Sequence, residues 1–192
     1  MRYSADHKEQ TRRAVLDSSA ALAKENGFAP MGVDGLMKAV GLTGGAFYSH
    51  FASKDDLFQA VVERELTRSL ALLGGDESLT KEKIKRCVRG YLSLSHVQDP
   101  AGGCVIPALG SEIARAEGPA RLSAEHWLCE LHRAWGEVLG DEDLAWGAIA
   151  QCVGALMVAR MMATPERQQR VVDASYQLLC QQVDALTAAA KG

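Results

Sequence analysis

"GLTGGAFYSHFASKDDL", residues 41–57, sets an aromatic pair and a histidine-phenylalanine pair between two runs whose apolar residues recur at helical spacing. Gly41 permits a backbone reversal, Leu42 plugs inward, and Thr43 is placed to cap a new helix. Two short helices joined through "GLT" form a helix-turn-helix, the geometry in which the second helix enters the major groove of DNA. That arrangement alone is common in helical proteins, so the flanking residues decide how it is read.

Upstream, "MGVDGLMKAVG" predicts a short helix over Val33–Val40 that Gly41 stops. Before it, a first helix fits Asp6–Asn26. Asp6 and Glu9 have capping-box spacing, Val15, Leu16, Ala20, Leu22 and Ala23 supply an inward stripe, Gly27 ends the run and Phe28 anchors the turn. Downstream, Ser53 and Asp56 repeat the capping-box spacing and start a long helix toward Leu73, broken by Gly74 and Gly75. The rest predicts helices over Thr80–Val97, Val105–Ala116, Pro119–Leu139, Asp141–Met162 and Pro165–Ala190. Pro119 and Pro165 suit the first helical position, and Asp141 and Thr164 are good caps. No run alternates with period two, so the expected class is all-α with about nine helices.

With these elements placed, "GLTGGAFYSHFASKDDLF" resembles the signature of the TetR family of bacterial transcriptional regulators, which ends in an aromatic pair, a histidine-phenylalanine and an "SK-x-x-L" helix start. The resemblance is close over roughly residues 1–60 and extends beyond them only as length and helix layout. It implies a helix-turn-helix DNA-binding domain over residues 1–52, an effector-binding and dimerisation domain over residues 53–192, and a homodimer on a double-stranded DNA operator. It also implies that Tyr48 and His50 project from the recognition helix to phosphates while Phe47 and Phe51 pack the small core. Lys54, at a helix start, offers a further phosphate contact, and Arg12, Arg13 and Lys38 are candidate backbone clamps.

One departure matters. Gly44 and Gly45 stand where many relatives carry a basic residue, so no bidentate arginine-guanine contact comes from there. Base reading then rests on Thr43, Ser49, Tyr48, close backbone approach at the two glycines, or DNA shape. Each glycine also weakens the isolated helix by ~1 kcal/mol relative to alanine.

Composition fits this reading. The 192 residues carry 47% hydrophobic and 23% charged side chains and a formal net charge of -3, so any basic surface is local. Residues 1–60 hold seven Lys or Arg and seven Asp or Glu, which leaves the whole -3 to residues 61–192. The polar start "MRYSADHKEQTRRAV" has no signal-peptide core, and Leu144–Ala159, the longest uncharged apolar run, falls short of the ~20 residues that cross a bilayer. A cytoplasmic protein without membrane contact is expected. Five cysteines without C-x-x-C spacing predict reduced thiols and neither a metal nor another cofactor.

In the second half, the apolar content of the last two helices suits dimerisation through a four-helix bundle, with Val171, Val172, Leu178, Leu179, Val183 and Leu186 forming the stripe of the final one. Tyr91, His96, Trp127, Trp135, Met157 and Met161 are candidate walls of a small-molecule pocket, although residues of these types are more often plain core. Cys104 follows the glycine turn of "DPAGGCVIPALGSEIA" at a helix start, where unpaired N–H groups favour a thiolate. "GGCVIPALGSEIA" resembles the "GC" helix start of a TetR branch that includes electrophile- and oxidant-sensing repressors, which makes Cys104 the candidate sensor. The other four cysteines sit in apolar helical patterns and read as core thiols, with Cys129 a candidate resolving partner.

Two rivals come from other classes. A helical enzyme would use His96, His126 and His132 with Glu125, Glu130 and Glu137, but these form no tight catalytic or metal-ligand grouping, so a non-enzyme is expected. An interaction module would dimerise without reading DNA and would lack salt-dependent DNA affinity.

Overall fold

Side-chain caps set five of the ten helix starts in the computed structural model, which describes residues 5–73 and 79–189. The elements are α1 (Ala5–Asn26), α2 (Val33–Ala39), a 3-10 helix (Gly44–Ser49), α3 (Lys54–Leu73), α4 (Lys81–Tyr91), α5 (Leu94–Gln98), α6 (Val105–Arg115), α7 (Pro119–Leu139), α8 (Glu142–Arg160) and α9 (Pro165–Ala189). The described residues contain no strand, so the class is all-α as the apolar spacing predicts.

The anticipated caps at Ser53, Asp141 and Thr164 are formed, and Thr80 adds another. Asp56 N–H donates to Ser53 Oγ at 3.0 Å while the Asp56 carboxylate accepts from Ala52 N–H at 2.9 Å, a reciprocal box at the start of α3. Thr80, Asp141 and Thr164 accept from the backbone N–H of Lys83, Leu144 and Arg167. Pro119 and Pro165 are the first residues of α7 and α9. The Asp6 side chain, the Gly74–Gly75 break, the Leu186 side chain and Ala190 lie outside the described residues.

Two expectations are corrected. The run Thr80–Val97 is two helices, because Ser93 donates to Gly90 O at 2.8 Å and accepts from His96 N–H, local bonds that compete with a continuous ladder next to a poor helix former. The reading element after Thr43 is a six-residue 3-10 helix instead of an α-helix. Its two leading glycines give little helical preference, and it spans too few residues to propagate α-helical bonding.

The chain divides into two compact units, one of Met1–Leu66 with Pro100–Ala124 and the other of Thr67–Asp99 with Glu125–Gly192. The first buries Val15, Leu16, Leu36, Met37, Phe47, Phe51, Leu57 and Val61, joined by Leu109 and Ile113 of α6. Polar ties run through it as well. Lys24 Nζ donates to Glu65 Oε2 at 2.6 Å, both side chains being buried, and to the half-buried Gly103 O at 2.9 Å. Glu112 of α6 accepts the backbone N–H of Phe28 at 2.9 Å and of Ala29 at 2.7 Å, so one carboxylate holds the α1–α2 turn.

The second unit packs α8 against α9 around Leu156, Val172, Leu179 and Val183, with Trp135 Nε1 donating to Leu73 O at 3.0 Å. By length and composition α8 is apolar enough to cross a membrane. Ala145, Ala148, Ile149, Cys152 and Leu156 on it are nevertheless buried against protein, as a core helix requires.

Candidate nucleic-acid interface

Gly41 makes the reversal between α2 and the 3-10 helix, with φ +74° and its N–H donating to Lys38 O at 3.0 Å. That left-handed backbone favours glycine. Leu42 N–H donates back to Met37 O, and Thr43 takes the extended N-cap conformation, although its hydroxyl caps nothing and points the residue outward as an exposed one. The next aromatics divide sharply. Phe47 is fully buried and lies 5.6 Å from the Phe51 ring, whereas Tyr48 is 70% exposed and meets Phe47 edge-on. Gly45 and Ser49 are exposed beside Tyr48, and Ser49 Oγ donates to Ala46 O, which tightens the short element.

His50 sits at the end of this element. Burial and the positive charges of Lys8 and Arg12 hold its imidazole below the ordinary histidine range, and its Nδ1 is buried without a hydrogen-bond partner. The Arg12 guanidinium stacks 4.9 Å from the Phe51 ring centroid, which fixes it on this face. Lys8, one turn earlier on α1, was not among the residues singled out from the sequence. The i, i+4 spacing of Lys8 and Arg12 was the available signal.

The remaining predicted contacts are placed differently. Arg13 is exposed and pairs with Glu9 at 3.3 Å along α1. Lys38 is exposed in the last turn of α2. Lys54 Nζ donates to Ala29 O at 2.7 Å and lies over the Phe28 ring, so it fastens α3 to the α1–α2 turn and retains donors for a further acceptor.

Profile comparison matches residues 15–61 to the bacterial regulatory proteins of the tetR family. Over residues 15–61 the chain is thus similar to the TetR-family regulators. An uncharacterised HTH-type transcriptional regulator of Bacillus subtilis, YwcC, is 28% identical over 78 residues, 41% of this chain and 35% of its own. The HTH-type transcriptional repressor Rv1474c of Mycobacterium tuberculosis is 37% identical over 76 residues, 40% of each chain. The match thus spans well under half the length of either relative. Among solved structures, a TetR regulator from Chloroflexus aurantiacus is similar with a TM-score of 0.74 at 22% identity, over 92% of this chain and 97% of its own. The reduced form of Escherichia coli NemR is similar with a TM-score of 0.70 at 20% identity, over 86% and 95%. At such identities the likeness carries the fold alone.

In the second unit, Tyr91, Trp127 and Trp135 line one cavity together with Leu131, Ile149 and Cys152. The void is about 20 Å³, enough for a water molecule. Trp127 Nε1 is buried there without a hydrogen-bond partner. His96 stands outside that lining, with Nδ1 2.8 Å from Tyr91 O and its ring edge-on to Tyr91. Met157 on α8 and Met161 just after it are 47% and 71% exposed and do not line it. Cys104 is buried at the N-cap of α6, without a side-chain cap bond. Cys129 is exposed and Cys87 and Cys180 are half-buried, so of the four expected core thiols only Cys152 is one. Glu130 and Glu137 both bind Arg133 at 3.0 Å, His132 stacks on Trp146, and no group of three metal-ligating side chains occurs among the described residues.

Proposed function

We propose that this chain is a homodimeric repressor whose residues 1–52 read a double-stranded DNA operator and whose residues 53–192 dimerise and respond to an effector. The observation that carries the reading is a short element with Thr43, Gly45, Tyr48 and Ser49 exposed, ending at a His50 that feels the charges of Lys8 and Arg12. Aromatic hydroxyl, small polar groups and clustered cations are the chemistry of phosphate positioning and groove approach. The first protein–DNA contacts are assigned to Tyr48, His50 and Arg12, with Lys54, Arg13 and Lys38 flanking them.

Dimerisation is assigned to α8 and α9. Trp146, Met157, Val158, Met161 and Leu178 are large apolar side chains left exposed on these helices, and an apolar face of that kind favours burial in a second copy. Such a dimer places two readers on two half-sites about one DNA turn apart. A soluble cytoplasmic location follows from this role.

His50 gives the reading a pH signature. A phosphate beside the imidazole raises the value that burial, Lys8 and Arg12 now depress, so DNA binding takes up a proton. Operator affinity is therefore expected to rise as pH falls below the ordinary histidine value, and the rise to vanish in His50→Gln. Anisotropy titrations at several pH values measure this; equal slopes for parent and variant would remove His50 from the phosphate contacts.

For the effector we favour the Cys104 thiol. It begins α6, the neighbouring Gly103 carbonyl is held by Lys24, and Glu112 of the same helix holds the α1–α2 turn of the reader. An adduct on a thiol this buried has to displace the start of α6, and with it the two ties into the reader. A noncovalent ligand in the cavity lined by Tyr91, Trp127 and Trp135 is the second reading, favoured by the unpartnered Trp127 N–H and requiring the cavity to widen.

Fluorescence anisotropy on a labelled duplex from the gene's own upstream region, with and without N-ethylmaleimide, tests both levels. Salt-sensitive binding lost on treatment in the parent and kept in Cys104→Ser supports a thiol-switched repressor. Binding that survives treatment in both transfers the effector role to the cavity. No specific binding to this duplex, followed by none in a genomic fragment screen, removes the DNA-reading assignment.

A further inference from the structure

Asp34, in the first turn of α2, occupies the space that a side chain on Gly44 would need. A Cβ on Gly44 would lie 1.8 Å from Asp34 Oδ1 and 3.0 Å from its Cγ. Two elements of the helix-turn-helix thus meet through a carboxylate, and the residue that opens the 3-10 helix has no side chain to cover it. Asp34 is exposed, and no hydrogen bond or ion pair engages it among the described residues.

A carboxylate in the first turn of α2 is favoured by the helix dipole, which accounts for an acid at this position. The dipole does not account for the vacated side chain at Gly44, nor for a bare negative charge on a surface that must approach phosphates, where it opposes nonspecific binding. Base reading accounts for both. The N-terminal residues of a recognition element are the ones that reach base edges, and the Asp34 carboxylate, although carried by α2, lies against the first of them, Gly44. In the major groove cytosine offers only the N4 donor, guanine offers two acceptors, thymine an acceptor and a methyl group, and adenine a donor flanked by an acceptor. A carboxylate accepts from cytosine and is repelled by guanine and thymine.

We infer that Asp34 is a specificity-determining residue of the operator reader, selecting cytosine at one position of each half-site, with Gly44 giving its carboxylate room. The inference rests on the DNA-reading function proposed above. It also supplies direct base recognition to a reader whose glycine pair removes the usual basic contact.

Selection of the full-length protein on a randomised double-stranded DNA library tests it, with Asp34→Ala, Asp34→Asn and Gly44→Ala selected in parallel and their helicity checked by circular dichroism. The parent is expected to enrich a two-fold symmetric motif with a cytosine at the Asp34 position. Asp34→Ala loses about tenfold of the cytosine-over-guanine preference there and keeps the other positions. Asp34→Asn moves the preference toward adenine, which an amide contacts through N6 and N7. Gly44→Ala pushes the carboxylate aside and weakens the same position with the charge retained. A motif unchanged in Asp34→Ala, or lost at every position alike in a folded variant, overturns the assignment. A parent that enriches no motif overturns the DNA-reading function itself, and this inference falls with it.

Discussion

Lys24→Met is expected to destabilise the protein by about 3–5 kcal/mol, because it leaves the Glu65 carboxylate charged and buried without its partner. The pair joins α1 to α3 with only 3% and 8% of the two side chains exposed, so little water reaches either charge. For a chain of this size the loss corresponds to a fall in Tm of roughly 6–20 °C in a circular dichroism melt. The double replacement Lys24→Met/Glu65→Leu is expected to recover most of that, since removing both charges also removes their desolvation penalty. It would not recover the bond from Lys24 Nζ to Gly103 O. A double variant as weak as the single one would show that this carbonyl contact, next to Cys104, carries the stability instead of the ion pair.

The second large effect separates two adjacent aromatics. Phe47→Ala empties a fully buried site against Phe51 and is expected to cost about 3–5 kcal/mol, abolishing DNA binding by unfolding the reader. Tyr48→Ala removes a side chain that is mostly in solvent, and stability should change by about 0.5 kcal/mol or less. Loss of the phosphate hydrogen bond proposed for Tyr48 should instead lower operator affinity by about tenfold or more. Melting curves and anisotropy on the same samples measure the contrast. Equal Tm losses in both variants would put Tyr48 in the core and take it off the DNA-facing surface.

How much of this was legible in the sequence follows the range of the interactions involved. The box at Ser53 and Asp56, the caps at Asp141 and Thr164, and the prolines opening α7 and α9 all act within four residues, and the spacing revealed them. The break at Ser93 is equally local, but a serine in an otherwise helical pattern reads as a tolerated guest unless its bond to Gly90 is seen. The 3-10 form of Gly44–Ser49 escaped because apolar spacing over six residues does not distinguish it from one α-turn and a half.

Long-range polar pairs were not legible at all. Nothing in the sequence couples Lys24 to Glu65 and Gly103, or Glu112 to the Phe28 and Ala29 amides, since these partners are brought together only by the packing of α3 and α6 against α1 and its following turn. Lys54 was read from its place in the motif as a phosphate ligand, and its bond to Ala29 O adds a structural task that the motif does not disclose. Cys129 was misread because α7 carries apolar residues on more than one face, and the thiol lies on the one turned to water.

The Glu112 clamp has a consequence for how this protein can vary. Its carboxylate grips two main-chain amides, groups that every residue except proline supplies, so the partner position at Ala29 is addressed without regard to its side chain. Drift at Ala29 is therefore cheap, while the single acid on α6 has no substitute of equal reach and charge. Inheritance under such a contact is lopsided: one side of the joint is free to diversify, and the other is held to one letter.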